Sequence, residues 1–177
     1  MATIPLTRTD LEPLRDQLRA RGQRPSMVVP AAPTTSQELI DALRLVEQWG
    51  PFCEAMYLMM AADRRVLNVE REVLRGALAV LSGETVRTRH MEAMLDAAMR
   101  KVAAEGTERR IAKVIEALRD DPPRAESAVV VAAAIAAADQ RVVPEESALL
   151  VRLFEGLGIA PERAAEILAD MKVRLAG

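Results

Sequence analysis

Aromatic residues are scarce in this chain, which has one Trp, one Tyr and two Phe in 177 residues. Its core must therefore be filled by Ala, Leu, Val, Ile and Met, and apart from Val and Ile these are strong helix formers. The shortage argues against a sheet, whose strands draw on β-branched and aromatic residues and on closely spaced Gly or Pro turns. Cys53 is the only cysteine, which excludes an intramolecular disulfide and any multi-cysteine zinc site. Its neighbours Phe52, Met56 and Tyr57 mark it as a buried thiol.

Histidine is equally rare. His90 stands alone, so there is no His pair at metal spacing, and a single His near a helix start reads as a boundary residue rather than a base. The chain also lacks a Gly-rich phosphate loop and a nucleophile elbow, and the reading is that it is not an enzyme. The longest unbroken apolar run, residues 128–138, falls well short of the roughly 18 residues that cross a bilayer. The amino terminus has no apolar signal-peptide stretch, so the expectation is a cytoplasmic protein without membrane insertion. Charge of one sign is missing too: 24 Lys and Arg face 26 Asp and Glu, for a formal net charge of −2. No global field draws the chain to nucleic acid. Its local basic groups, Arg15, Arg19, Arg21 and Arg24, then Arg109, Arg110 and Lys113, are interleaved with Asp16, Glu105 and Glu108. They read as solvated amphipathic faces.

What is present is helical periodicity. Residues 1–34 stand apart: Thr9-Asp10-Leu11-Glu12 reads as a capping box for a short helix with one narrow stripe, Leu11, Leu14 and Leu18, ending near Gly22. Pro25, Pro30 and Pro33 then mark a linker. Residues 35–177 form the second unit. It opens with a capping box at Thr35-Ser36-Gln37-Glu38, followed by Leu39, Leu43 and Val46, and the pair Gly50-Pro51 stops that helix and starts the next. The helix over residues 51–63 is apolar on most sides and is expected at the centre, with Met56, Met59 and Met60 as core filler. Asn68 is positioned to cap the following helix, whose inward face is Val69, Val73, Leu74, Ala77, Leu78 and Leu81. Two amphipathic helices follow, separated by Gly106, and Asp120-Asp121-Pro122-Pro123 ends the second. Residues 127–139 read as an Ala-rich helix, and Pro144 and Pro161 start the last two. The fold class is all-α, a single-domain helical bundle of about eight helices.

One cell occurs twice. Laying Asp63 on Asp139 aligns Arg65 with Arg141, Val66 with Val142, Leu67 with Val143, Glu70 with Glu146, Leu74 with Leu150 and Leu81 with Leu157. That many matches at one offset point to an internal repeat, two pseudo-symmetric helix-turn-helix cells. Each Asp sits at the carboxyl end of an apolar helix, where the macrodipole disfavours an anion, and is expected to accept backbone N–H bonds from the following turn. Each Glu falls in the first turn of the next helix, where the dipole favours it. Val66 and Val142 are expected to plug the hinges. Two readings of Asp63, Glu70, Asp139 and Glu146 stay open. In one they organise turns, the glutamates pairing with Arg65 or Arg141. In the other they converge as oxygen ligands for a hard divalent cation. The loop is too short for an EF-hand and lacks its alternating ligands.

The pattern Ala-Ala-Asp-x-x-Val-x-x-x-Glu, closing one helix and opening the next and then repeated, resembles the tellurite-resistance TerB family. It is also similar to the helical domain that precedes the J-domain in certain membrane-anchored DnaJ-like proteins. The resemblance covers residues 36–175. It implies a helical bundle with an acidic surface cluster at Asp63, Glu70, Asp139 and Glu146, a link to stress responses and to metal or oxyanion resistance, and assembly with other proteins. No catalytic mechanism comes with it. One departure stands out: the family usually has Gly after the Asp, where this chain has Arg64 and Gln140. Gly permits positive φ and close backbone approach, so its double loss, with Arg64, Arg65 and Arg141 beside the carboxylates, favours internal salt bridging over a bound ion. The functional expectation is a non-catalytic interaction or scaffold protein of stress-response, tellurite-resistance-like type. Its partner is a protein, membrane-associated stress proteins included, with no nucleic acid and with a homo-oligomer left open. The alternative is a divalent metal-ion sensor or buffer, the cation being the only cofactor in view.

Overall fold

Two helical segments that are apolar on most sides must be enclosed by others, and the rest of the chain is arranged to do this. The computed structural model describes residues 35–175, together with residue 20. The helix and linker expected over residues 1–34 otherwise lie outside the described residues. Seven helices make up the described part: α1 (Ser36–Met60), α2 (Asn68–Leu81), α3 (Thr88–Glu105), α4 (Thr107–Leu118), α5 (Pro122–Ala136), α6 (Pro144–Gly156) and α7 (Pro161–Asp170). No strand occurs among the described residues, as the all-α reading expects. None of these helices is long and apolar enough to cross a membrane.

The carboxyl-terminal half of α1 and nearly all of α5 form the centre. Phe52, Cys53, Ala55, Met56 and Met59 are fully buried, and so are Val129, Ala132, Ala133 and Ala134. The Met residues are core filler, packed rather than displayed. α1 packs against α3, α4, α5 and α6, while α2, α6 and α7 close over α5. The small side chains of α5 let these neighbours approach closely, and burial of its remaining Val and Ile supplies the hydrophobic stabilisation. Trp49 and Phe52 meet edge to face with ring centroids 5.8 Å apart, a favoured arrangement for aromatic pairs.

Three boundaries differ from the sequence reading. Gly50-Pro51 does not divide two helices: α1 runs through it as one helix with Pro51 inside. Proline removes one backbone donor and disfavours the helical conformation of its predecessor mainly by clashing with that residue's Cβ. Gly50 has none, and the buried Trp49 and Phe52 hold the backbone on either side. Asp120-Asp121-Pro122-Pro123 follows the end of α4 at Leu118, as read from the sequence, but it also starts α5, ahead of the start read near residue 127. Asp121 is the N-cap of α5, its carboxylate accepting from Arg124 N at 3.2 Å, with the prolines at the first helical positions. Leu67, not Asn68, is the N-cap of α2.

Glu54 is the charge that the apolar pattern of α1 hides. It is 2% exposed, and its carboxylate accepts from Arg110 Nε at 2.5 Å and Nη2 at 2.8 Å, with Lys101 Nζ at 3.2 Å. Arg110 Nη1 also reaches Glu105 at 3.1 Å. Arg110 is thus buried and not part of a solvated face, and the hydrogen bonds it donates to Glu54 raise its pKa above the usual value. The network ties α1 to α3 and α4 through bidentate, charge-assisted bonds. Removing one partner strands a buried charge. Glu54→Met should therefore lower unfolding free energy in urea by roughly 3 kcal/mol. The double variant Glu54→Met/Arg110→Met should regain most of that loss, and a double variant as unstable as the single would show that the pair is not the source.

Candidate functional site

The acidic cells stand where the two enclosed helices emerge. After Met60 and after Ala136 the chain makes the same turn, and its hydrogen bonds repeat. Arg64 N donates to Ala61 O and Gln140 N to Ala137 O, at 3.0 and 3.2 Å. Arg65 N donates to Asp63 Oδ1 at 2.8 Å and Arg141 N to Asp139 Oδ1 at 2.9 Å. These are the Asx turns expected of each Asp, the donor lying two residues on. Each glutamate then reaches back from the third helical position. Leu67 N donates to Glu70 Oε2 at 2.7 Å and Val143 N to Glu146 Oε2 at 2.9 Å, so each carboxylate satisfies an N-cap donor and sits at the positive end of a helix. Leu67 and Val143 have no polar side chain to return the bond.

Arg64 and Gln140 both take φ of 65°. The left-handed conformation that glycine would adopt freely is retained by two residues for which it carries strain. The positive φ that the sequence reading associates with Gly at this place is thus present here without it. The expected salt bridging is also absent: no ion pair among the described residues joins Arg64, Arg65 or Arg141 to the four acids. The hinge residues diverge as well, for Val142 packs against the core while Val66 is 38% exposed and plugs nothing.

Glu70 and Glu146 are buried, Asp63 is half-buried and Asp139 is exposed. Burial pushes the Glu70 carboxyl up to about 7 against the pull of its Leu67 hydrogen bond, and the carboxylates of Glu146, Asp63 and Asp139 push it further. Glu146 is raised for the same reasons, with burial first and Asp139, Asp63 and Glu145 as its acidic neighbours. Residues of the two cells thus share one field. One oxygen of each acid is engaged by backbone, and among the described residues no group of three or more His, Cys, Asp or Glu is arranged to hold a metal ion. As positioned, the four acids form an electrostatic cluster and not a closed ligand cage.

Beside the first cell lies a groove of about 430 Å³ between the end of α1, α3, α4 and α6. Its apolar lining includes Leu58, Ala61, Ile111 and Leu149, and the exposed Arg64 stands at its edge. Sequence reasoning missed this groove because its lining comes from four helices, α1, α3, α4 and α6, spread over residues 57–152. His90 has a structural role: its Nδ1 accepts from Arg87 N at 3.3 Å at the start of α3, and burial lowers its pKa.

An all-helical fold carrying this repeated Asp-turn-Glu exit defines a class of small acidic helical-bundle domains. The sequence model of the family described as tellurite resistance protein TerB matches residues 53–169, and the chain belongs to that family. No curated protein and no solved structure matches it.

The raised carboxyl of Glu70 sets a pH dependence. A folded-state pKa above the usual 4.5 means that the folded chain holds its proton more tightly than the unfolded chain. The associated stability is fully present at low pH and is lost as pH rises from the unfolded value through about 7. The urea midpoint of the native chain should fall between about pH 5 and about pH 8. Glu70→Gln keeps the acceptor for Leu67 N but cannot ionise, and should show a visibly smaller fall. Parallel curves for the two proteins would contradict the assignment.

Proposed function

We propose that this chain is a non-catalytic interaction module of stress-response, tellurite-resistance-like type, acting in the cytoplasm, whose acidic face around Asp63 and Asp139 engages a protein partner. The observation that carries this reading is the placement of the first acidic turn against the groove. Ala61, Ala62 and Arg64 belong to both, so a partner can bury apolar side chains over Leu58, Ile111 and Leu149 while its basic groups meet the carboxylates. An apolar centre with a charged rim is the composition that protein interfaces use, and opposite charge supplies orientation and encounter rate. Affinity capture from cells that produce the protein, using native chain against Asp63→Asn/Asp139→Asn, should lose at least one partner in the variant. An unchanged set of partners would count against the acidic face.

A second reading is favoured by one specific observation. Glu70 is held up to about 7 partly by three other carboxylates, and a divalent cation would relieve that repulsion by replacing a shared proton. Asp63, Glu70, Asp139 and Glu146 would supply hard oxygen donors, as calcium or magnesium prefers. Some side-chain rotation away from the backbone donors would accompany binding. Isothermal titration with calcium, magnesium, manganese and zinc near pH 7 should then give heat and release of the proton held on Glu70, both of which Glu70→Gln diminishes. Silence for all four cations would eliminate a sensor or buffer role.

A further inference from the structure

The amino-terminal turns of α1 carry an apolar stripe that nothing in the described structure covers. Leu39, Ile40, Leu43 and Val46 are 51%, 43%, 60% and 49% exposed, though the sequence pattern reads Leu39, Leu43 and Val46 as the packed face of that helix. Leu45, on another face, packs against the core. Contiguous apolar exposure of this kind marks a surface meant to be covered.

The geometry points to residues 9–22 of this same chain as the occupant, docking antiparallel along α1 as a helical hairpin. The spacings agree. Leu11, Leu14 and Leu18 are separated by three and then four residues, and Leu39, Leu43 and Val46 by four and then three. Run in opposite directions, they pair as Leu18 with Leu39, Leu14 with Leu43 and Leu11 with Val46, the complementary seam of two antiparallel helices. Ala20, which points away from the Leu11, Leu14 and Leu18 stripe at ~100° per residue, is helical and exposed. Length agrees too. Residues 23–34 can span up to roughly 40 Å, against roughly 10 Å between the axes of two packed helices, so the connection closes without strain.

Cys53 is fully buried and its thiol is pushed up to about 12 by that burial, so it stays out of disulfide exchange and engineered cysteines can be read cleanly. Under mild oxidation, the full-length double variant Leu14→Cys/Leu43→Cys should form an intramolecular disulfide at least about tenfold faster than Leu14→Cys/Val151→Cys, since docking raises the effective thiol concentration. Leu18→Cys/Leu39→Cys should behave like the first pair, and Leu11→Cys/Leu39→Cys like the control. Disulfide-linked dimers in place of intramolecular bridges would assign the stripe to a second copy and overturn the proposal, as would equal rates in all pairs. In a separate measurement, Leu14→Asp/Leu18→Asp should speed amide hydrogen exchange across residues 39–46 by about tenfold and leave residues 52–60 unchanged. Unaltered exchange across residues 39–46 would also overturn it.

Discussion

Enclosure of the carboxyl-terminal half of α1 and of α5 is the constraint on which the remaining structure depends. A helix apolar on every side must have neighbours on every side, and the chain supplies them in a fixed order, with α3 and α4 against α1 and with α2, α6 and α7 against α5. Both enclosed helices must nevertheless end, and their last carbonyls must find donors or water. They end in the same way, with a turn that brings an Asp back onto the backbone and a Glu onto the next N-cap. The acids therefore gather at the exits of the two core helices because that is where buried backbone first meets solvent. The cluster is a consequence of the core before it is anything else.

Electrostatics then separate two kinds of buried acid in one small protein. Glu54 is neutralised by a bidentate Arg110 and by Lys101, so its charge is spent on holding α1 to α3 and α4. Glu70 has only a backbone donor, and its charged neighbours are other carboxylates. The first acid is satisfied and inert. The second keeps unspent negative potential, which a proton, a cation or a basic partner can relieve, and that difference makes the cell turns the functional candidate while the more deeply buried Glu54 stays structural.

Much of this was legible in the sequence, and the parts that were not share a cause. Periodicity of Leu, Val, Ala and Met marked the helices because amphipathic burial repeats every 3.6 residues, and the repeat of Asp63 to Glu70 at Asp139 to Glu146 marked the site because its hydrogen bonds are local. Pro51 misled because local rules for proline assume a Cβ on the preceding residue and take no account of the aromatic anchors Trp49 and Phe52. The segment 120–123 was read only as a helix end because an acid followed by prolines fits a helix end and a helix start equally well by local chemistry, and here it serves as both. Glu54 and Arg110 were unreadable for a different reason: their pairing spans 56 positions, and nothing in either segment announces a buried ion pair. The groove beside Arg64 is of this kind too.

Arg64 and Gln140 carry the last step. A left-handed residue other than glycine costs free energy, and the turn retains that conformation at both places. The turn is over-determined by what surrounds it, namely the Asx bond on one side and the reach-back of the glutamate on the other, each anchored to an enclosed helix. Glycine is thus one way to make this turn and not a requirement of it. A side chain at that position projects from a rigid point: in the first cell it is Arg64, at the edge of the groove, and in the second it is the uncharged Gln140. The two cells share a backbone and differ in what they present. In the proposed interaction role, a surface that is repeated in its acids but unequal in its flanking groups would tell one end of a partner from the other, which a pair of identical cells could not do.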